Sequence, residues 1–226
     1  MAIRIPIEID EWYHCYNRGV DKRTVFGDKN DYERFLLLMY LCNGSTAIHA
    51  SNLNSPNLNR VLLDPEIDRG DPLVEFGSYV LMPNHFHFLL KEIQNDGTAM
   101  FMQRMFTAYT MYFNKKHDRT GALFAGPFKS KHVDEDRYLK QLIAYLHLNP
   151  AELFDPKWKH GVSNIKKIKQ ELLAYRYSSL PDFLREKRPE RKILGSTVFE
   201  LFEAIPSLNE LVSDANDYYA QTYDDW

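Results

Sequence analysis

The sequence has no long apolar run and few cysteines, and both absences narrow the classes of protein it can represent. No stretch approaches the ~20 consecutive apolar residues that a membrane-spanning helix needs. The N-terminal segment alternates apolar and charged residues and lacks the apolar centre of a signal peptide. We therefore expect a cytoplasmic protein with no membrane partner. Its two cysteines, Cys15 and Cys42, fit a reducing compartment and indicate neither a disulfide framework nor a zinc site.

Basic residues are missing from the last part of the chain. Residues 196–226 contain seven acids and no Lys or Arg, whereas the whole chain carries a net charge of −3. Without those seven negative charges, residues 1–195 have a net charge of +4. A mildly basic body with an acidic tail leaves a nucleic-acid partner open, although the overall charge alone argues against one.

The remaining pattern predicts an α+β fold within 226 residues. Period-2 and helical spacings, with the turn residues between them, predict six elements in the order strand, helix, strand, strand, helix, strand. They cover 11–17, a helix from Asp28 or Asn30, 74–82, 85–91, 98–116 and 128–133. This βαββαβ order is typical of a ferredoxin-like antiparallel sheet with helices on one face. One further helix is predicted over 135–148, ending where Asn149 precedes Pro150.

The other segments set the expected domain organisation. Residues 43–72 are rich in Asn, Ser, Asp and Gly and predict a long surface loop, except for a turn of structure at Arg60–Leu63. We expect one domain over 1–180 and an extension over 181–226. The extension contains a basic stretch at Arg185–Lys192 and an acidic helix near Val198–Val212.

Two histidines on the predicted strand 85–91 can bind a metal ion. His85 and His87 are two residues apart, so both side chains project from the same face of the strand. At a rise of ~3.3 Å per residue they lie about 7 Å apart and can converge on one ion. A pair of solvated or half-buried strand histidines is the simpler interpretation when nothing else supports a site.

The helix over 135–148 supplies that support. Tyr145 and Asn149 are four residues apart and therefore lie on one helical face. An amide oxygen can complete a site for a hard cation beside two imidazoles, and a phenol next to the ion can become a nucleophile. Separately, Tyr145 fits a core tyrosine and Asn149 fits a helix C-cap. The combination with the histidine pair favours the functional interpretation.

An ordered series of motifs resembles the single-tyrosine HUH transposases, and among them the REP-associated tyrosine transposases. The resemblance spans residues 12–180 and includes His-hydrophobic-His followed by a helical Tyr-x-x-x-Asn. The motifs are YNRG at Tyr16–Gly19, DYERF at Asp31–Phe35, LMPNHFHFLL at Leu81–Leu90, MQRMFTAYTMYFNKK at Met102–Lys116, GALFAGPFK at Gly121–Lys129, YLHLNP at Tyr145–Pro150 and YRYSSL at Tyr175–Leu180.

This resemblance implies a site and a reaction. His85, His87 and Asn149 would hold Mg²⁺ or Mn²⁺, and Tyr145 would attack a DNA phosphate. The expected activity is nicking and rejoining of single-stranded DNA, usually with a hairpin, through a 5′-phosphotyrosine. The expected oligomeric state is a monomer or a homodimer. His147 should point away from this site.

Candidate DNA contacts are basic or aromatic residues near the predicted strands and the long helix. They are Arg18, Lys22, Arg23, Arg104, Tyr109, Tyr112, Lys115, Lys116, Lys129 and Lys131. For each residue, a solvated surface position or a core aromatic is an equally good interpretation. Two rival functions also remain: a domesticated DNA-hairpin-binding protein without transposition activity, and a metal-dependent hydrolase that uses water as its nucleophile.

Overall fold

The structure is a computed structural model that describes residues 6–50, 53, 57–156, 158, 165–184, 187–201 and 210–211. Its strands are β1 (Trp12–Arg18), β2 (Val74–Met82), β3 (His85–Glu92) and β4 (Lys129–Val133). Its helices are α1 (Lys29–Leu41), α2 (Leu58–Leu63), α3 (Gly97–Lys116), α4 (Asp136–Leu148), α5 (Ala151–Phe154), α6 (Ile165–Ala174), α7 (Leu180–Phe183) and α8 (Thr197–Glu200). Short 3₁₀ helices cover Val20–Lys22 and Pro189–Ile193. None of the helices within these ranges combines the length and the apolar character needed to cross a bilayer.

The sheet confirms the predicted ferredoxin-like fold. Its strand order is β2-β3-β1-β4, and each of the three neighbouring pairs is antiparallel. β2 and β3 form the expected hairpin, because Met82 pairs with His85 across the two-residue turn Pro83-Asn84. In the centre of the sheet, Tyr16 of β1 lies opposite His87 of β3.

The two faces of the sheet have different coverings. On one face, Phe86 of β3 packs against Phe35 of α1 and Phe106 of α3, with ring centroids 5.4 and 5.7 Å apart. The opposite face carries His87, and α4 packs there through Tyr145. The sheet is therefore enclosed by α1 and α3 on one side and by the added helix α4 on the other.

Two helix boundaries show how local chemistry sets the elements. α1 begins where predicted because the Asp28 carboxylate accepts hydrogen bonds from the backbone N–H groups of Asn30 and Asp31. α4 ends at Leu148, also as predicted. Asn149 nevertheless keeps helical backbone angles (φ −50°, ψ −41°) and donates its N–H to the Tyr145 carbonyl. The expected departure from the α region before Pro150 is wrong, because a second short helix, α5, continues after Pro150.

The predicted surface loop over 43–72 is only partly a loop. α2 buries Leu58, Val61 and Leu62 in the main core, so its packed turn is longer than the expected Arg60–Leu63. The side chain of Asn43 joins the two ends of the 43–72 segment. That amide accepts from the N–H groups of Leu73 and Val74 and donates to the Val74 carbonyl.

The described residues beyond 180 continue the same core. Ile193, Leu194 and Val198 are buried in the cluster that includes the sheet, and Gly195 donates its N–H to the Phe76 carbonyl of β2. The predicted boundary at residue 180 therefore does not coincide with a break in packing. Of the predicted acidic helix, Thr197–Glu200 is helical, and 202–209 and Val212 lie outside the described residues. Within the predicted basic stretch, residues 185–186 also lie outside them.

Candidate active site

The histidine pair lies where β3 begins, on the α4 side of the sheet. The rings of His85 and His87 are 5.1 Å apart and nearly perpendicular. His87 is fully buried, whereas His85 is partly exposed beside the hairpin turn. The Asn84 amide oxygen lies 2.7 Å from His85 Nδ1 and orients that ring. The two rings lie on the same face of the strand, as predicted, with His85 accessible to solvent and His87 buried behind it.

α4 brings the predicted phenol, Tyr145, to this pair. The Tyr145 ring meets the His87 ring edge-on, with centroids 5.5 Å apart. The helix is held there because Leu142, Ile143 and Leu146 are completely buried in the main core. The structure thus brings Tyr145 and the histidine pair together within one chain.

His147 of the same helix points away from the site, as predicted. Its Nε2 lies 2.9 Å from the Ser179 hydroxyl and 3.2 Å from the Ser78 hydroxyl of β2. Ser179 Oγ also accepts from the Tyr79 backbone N–H. This buried cluster ties α4 to β2 and helps to fix the position of Tyr145 along the sheet.

Burial dominates the electrostatics of the site. Tyr145 is 4% exposed, and this burial raises the pKa of its phenol, which a hydrogen bond from Asn149 opposes. Burial likewise lowers the pKa of His87 well below its usual value. His87 is therefore neutral at neutral pH, and a neutral imidazole is the form that can bind a metal ion.

Imidazole nitrogen and amide oxygen are donor types that can hold a divalent cation. The Nδ1 atom of His87 is engaged in a hydrogen bond, so Nε2 is the ring nitrogen that would hold an ion. Asn149 Oδ1 is buried and has no hydrogen-bond partner in the described part of the chain, which is costly unless the atom has another role. Two imidazoles and one amide oxygen carry no charge. The same part of the chain contains no cluster of three or more His, Cys, Asp or Glu side chains that could hold a metal. A divalent cation held by these neutral donors would keep its full charge, which a substrate phosphate could balance.

His14 of β1 belongs to the site, and the sequence analysis missed it. Its Nε2 lies 2.9 Å from His87 Nδ1, and both rings are buried. Burial lowers the pKa of His14 to about 3, so this ring is neutral too. The contact depends on the register that sets Tyr16 opposite His87, which places His14 diagonally across from it. The available signal was the alternation His14, Tyr16, Arg18 beside a strand that carries two histidines.

Three of the predicted DNA-contact residues lie on the same face of the sheet as the histidines. Arg18 pairs with His85 in the register and is exposed. Lys129 and Lys131 of β4 are also exposed, and the Lys129 Nζ lies 5.8 Å from the Tyr16 ring centroid. These three cations border the candidate site.

Three basic residues of α3 lie on the other side of the sheet. Arg104 donates to the Gly44 carbonyl at 2.7 Å, and Lys116 forms ion pairs with two aspartates of the α1 start at 2.6 and 2.8 Å. Lys115 extends from the same helical turn. The structure therefore does not bring Arg104, Lys115 and Lys116 to the histidine face.

The two tyrosines of α3 also lie behind the sheet. Tyr109 is completely buried and donates its hydroxyl to the Val25 carbonyl, so the expectation of base stacking is wrong for this residue: no ring face is available. Its alternative role, a core aromatic, fits. The Tyr112 hydroxyl donates to Asp31.

The remaining two candidates follow β1. Lys22 lies in the 3₁₀ turn with a positive φ of 57° and is exposed. Arg23 is held by its own turn, donating to the Val20 carbonyl and pairing with Asp21. The Lys22 carbonyl accepts a hydrogen bond from the Asn84 side chain, which also contacts His85.

Comparisons with known proteins find similar solved structures. No protein-family model matches the chain, and a search of curated proteins finds no relative. Among solved structures, the chain is similar to a REP-associated tyrosine transposase bound to a REP hairpin. The identity is 13% and the TM-score 0.47, over 92% of this chain and 97% of that chain. That structure is of the kind that the sequence motifs resemble. At this similarity, the function has to be inferred from the side chains of the present chain.

Proposed function

We propose that this protein is a metal-dependent transposase that nicks and rejoins single-stranded DNA, with Tyr145 as the nucleophile. The observation that carries the proposal is the contact between the Tyr145 ring and His87, at 5.5 Å between centroids. Asn149 lies one helical turn beyond Tyr145 with a buried, unsatisfied amide oxygen. A core tyrosine and a plain helix cap would explain neither the histidine pair beneath the phenol nor this oxygen.

His85, His87 and Asn149 would hold the cation, Mg²⁺ or Mn²⁺. When bound, the ion polarises a non-bridging oxygen of the scissile phosphate and stabilises the charge that develops on it. Because the three protein ligands are neutral, we expect the ion to bind more tightly in the presence of DNA. The phosphate then provides the counter-charge that the protein lacks.

Tyr145 carries out the covalent step. Its Oη loses a proton to solvent as it bonds to phosphorus, and the bond from phosphorus to the 3′-oxygen of the neighbouring nucleotide breaks. That oxygen takes up a proton and leaves as a 3′-hydroxyl, while the 5′ side stays attached as a phosphotyrosine. The reverse attack by a 3′-hydroxyl of another strand restores a phosphodiester without an external energy source.

The burial of Tyr145 adds a requirement to this reaction. A phenol with 4% of its surface exposed meets a DNA phosphate only after the covering side chains move. Burial also raises the pKa of the phenol, which disfavours early loss of the proton. We therefore expect cleavage to include an opening step, and we expect the phenol to be deprotonated during attack rather than before it.

The DNA strand would approach along the exposed cations of the histidine face. Arg18, Lys129 and Lys131 can contact phosphates on either side of the scissile bond. Extended single-stranded DNA beside a hairpin is the expected substrate, because the backbone of a paired strand cannot reach a recessed site as easily.

A covalent-adduct assay tests the proposal. The protein is incubated with hairpin-flanked single strands and Mn²⁺, and adducts are separated by denaturing gel. We expect an adduct with wild type and none with Tyr145→Phe, which should still bind DNA. Tyr16→Phe is the matched control, since it removes another phenol beside His87, at 5.8 Å between ring centroids, and should leave the adduct intact.

The same assay separates the rival functions. Binding without an adduct in wild type would contradict the proposal and favour a DNA-hairpin-binding protein, which the burial of Tyr145 also suits. Cleavage that persists in Tyr145→Phe would indicate water as the nucleophile. His87→Ala should abolish cleavage in either enzyme, because it removes a ligand.

A further inference from the structure

A direct hydrogen bond joins two buried histidines in the centre of the sheet. His14 Nε2 and His87 Nδ1 are 2.9 Å apart, and the rings are stacked with an interplanar angle of 24° and centroids 5.1 Å apart. His14 is 2% exposed and His87 is fully buried, so water has little access to this contact. Two adjacent strands hold it, since β1 and β3 pair over their whole shared length.

The chemistry of imidazole restricts this bond to two arrangements. A neutral imidazole has one N–H donor and one acceptor nitrogen, so only one of the two facing nitrogens carries the proton between them. If His87 donates from Nδ1, its Nε2 has a lone pair and can bind a cation. If His14 donates from Nε2, the His87 proton resides on Nε2, and that atom cannot be a ligand.

We propose that His14 is a positioning residue that accepts a hydrogen bond from His87 and thereby holds His87 in the Nδ1–H tautomer. The ligand role of His87 rests on the proposed function, whereas the tautomer can be measured in the metal-free protein. His14 also packs near the Tyr145 ring, edge-on at 6.4 Å between centroids. One side chain of β1 thus touches both the deep histidine and the phenol.

Removing the acceptor should change the tautomer. In His14→Leu, a proton on His87 Nδ1 would be a buried donor without its partner, which disfavours that tautomer. The population should therefore move towards the Nε2–H form. In His14→Gln, the side-chain amide oxygen can reach the place of the lost Nε2 and restore the Nδ1–H form.

Nitrogen chemical shifts of ¹⁵N-histidine-labelled, metal-free protein report the tautomer directly. At neutral pH we expect His87 protonated at Nδ1 in wild type and His14→Gln, and a shift towards Nε2–H in His14→Leu. The matched control is His132→Leu, which removes an exposed β4 histidine that contacts Tyr13 and Glu11 rather than the site.

Mn²⁺ titration provides the second measurement. Loss of a partner that orients a metal ligand typically weakens binding 10–100-fold, and we expect a weakening of that size in His14→Leu. His14→Gln and His132→Leu should stay within a few-fold of wild type. Urea unfolding of each variant identifies any loss of folded protein, and the Gln variant preserves the test if the Leu variant does not fold.

Two results would overturn the inference. One is a wild-type His87 protonated at Nε2. The other is a folded His14→Leu variant with an unchanged tautomer and unchanged Mn²⁺ affinity. Failure of the proposed function looks different: wild type would form no DNA adduct, although His87 would still be in the Nδ1–H form and would still depend on His14.

Discussion

Replacing Asn149 with leucine separates the stability of the fold from the binding of a metal ion. The buried Asn149 Oδ1 has no hydrogen-bond partner in the described part of the chain, and such an atom costs about 1–3 kcal/mol. The hydrogen bond from Asn149 to Tyr145 stabilises the fold by about 0.5–1.5 kcal/mol. Leucine has a similar volume, so the metal-free Asn149→Leu variant should have a free energy of unfolding between about 0.5 kcal/mol below and about 2.5 kcal/mol above that of wild type.

Bound metal ions should make wild type more stable than Asn149→Leu. At a concentration 100 times its dissociation constant, a ligand stabilises a folded protein by about 2.7 kcal/mol. Wild type should show a gain of that size with Mn²⁺, and more when a DNA strand is present. Asn149→Leu should show almost none, because the oxygen ligand is gone.

Urea unfolding with and without Mn²⁺ measures both effects, and Asn43→Leu is the control. The Asn43 amide makes three buried backbone hydrogen bonds, so its removal should cost at least about 3 kcal/mol. The reasoning is refuted if Asn149→Leu destabilises the metal-free protein by more than about 1 kcal/mol. It is equally refuted if the variant keeps the Mn²⁺ gain.

Two further predictions concern the C-terminal packing and the DNA face. Arg188 is paired at 2.5 Å with Asp182, and both side chains are at most 5% exposed. Arg188→Met should therefore lower the free energy of unfolding by about 3–5 kcal/mol, and adding Asp182→Leu should recover part of the loss. An Arg188→Met variant within about 1 kcal/mol of wild type in urea unfolding would contradict this expectation. Changing both Lys129 and Lys131 to alanine should weaken single-strand binding and reduce the slope of log affinity against log salt by about 1.4, at ~0.7 per phosphate contact. Lys115→Ala, on the other side of the sheet, should leave the slope unchanged in fluorescence anisotropy titrations. If Lys115→Ala reduced the slope as much per lysine as the double change does, the DNA would not be bound on the histidine face alone.

The fold could be predicted from the sequence because its signals are local. Strand alternation and turn residues identified β2 over its full length and placed the start of β3 at His85. The spacing of His85 and His87 is a property of any strand, and that of Tyr145 and Asn149 is a property of any helix. Both spacings can therefore be predicted without knowledge of the tertiary structure.

The features that escaped prediction depend on contacts between distant segments. The His14–His87 hydrogen bond joins residues 73 positions apart and exists only in the observed register. The buried pair of Arg188 and Asp182, which also anchors the Ser178 carbonyl, lies beyond the expected domain boundary. Charge alone likewise could not divide the lysines between the two faces of the sheet. The side of Lys115 and Lys116 follows from where α3 packs, and that of Lys129 and Lys131 follows from the register between β1 and β4.

Mass spectrometry of the protein–DNA adduct tests the central claim most directly. After incubation with a structured single strand and Mn²⁺, nuclease and protease digestion leaves a nucleotide phosphate on the attacking residue. We predict this added mass on Tyr145 in the peptide from α4 and its absence in Tyr145→Phe. A phosphotyrosine located instead on Tyr16 or Tyr138, or cleavage without any modified tyrosine, would contradict the account.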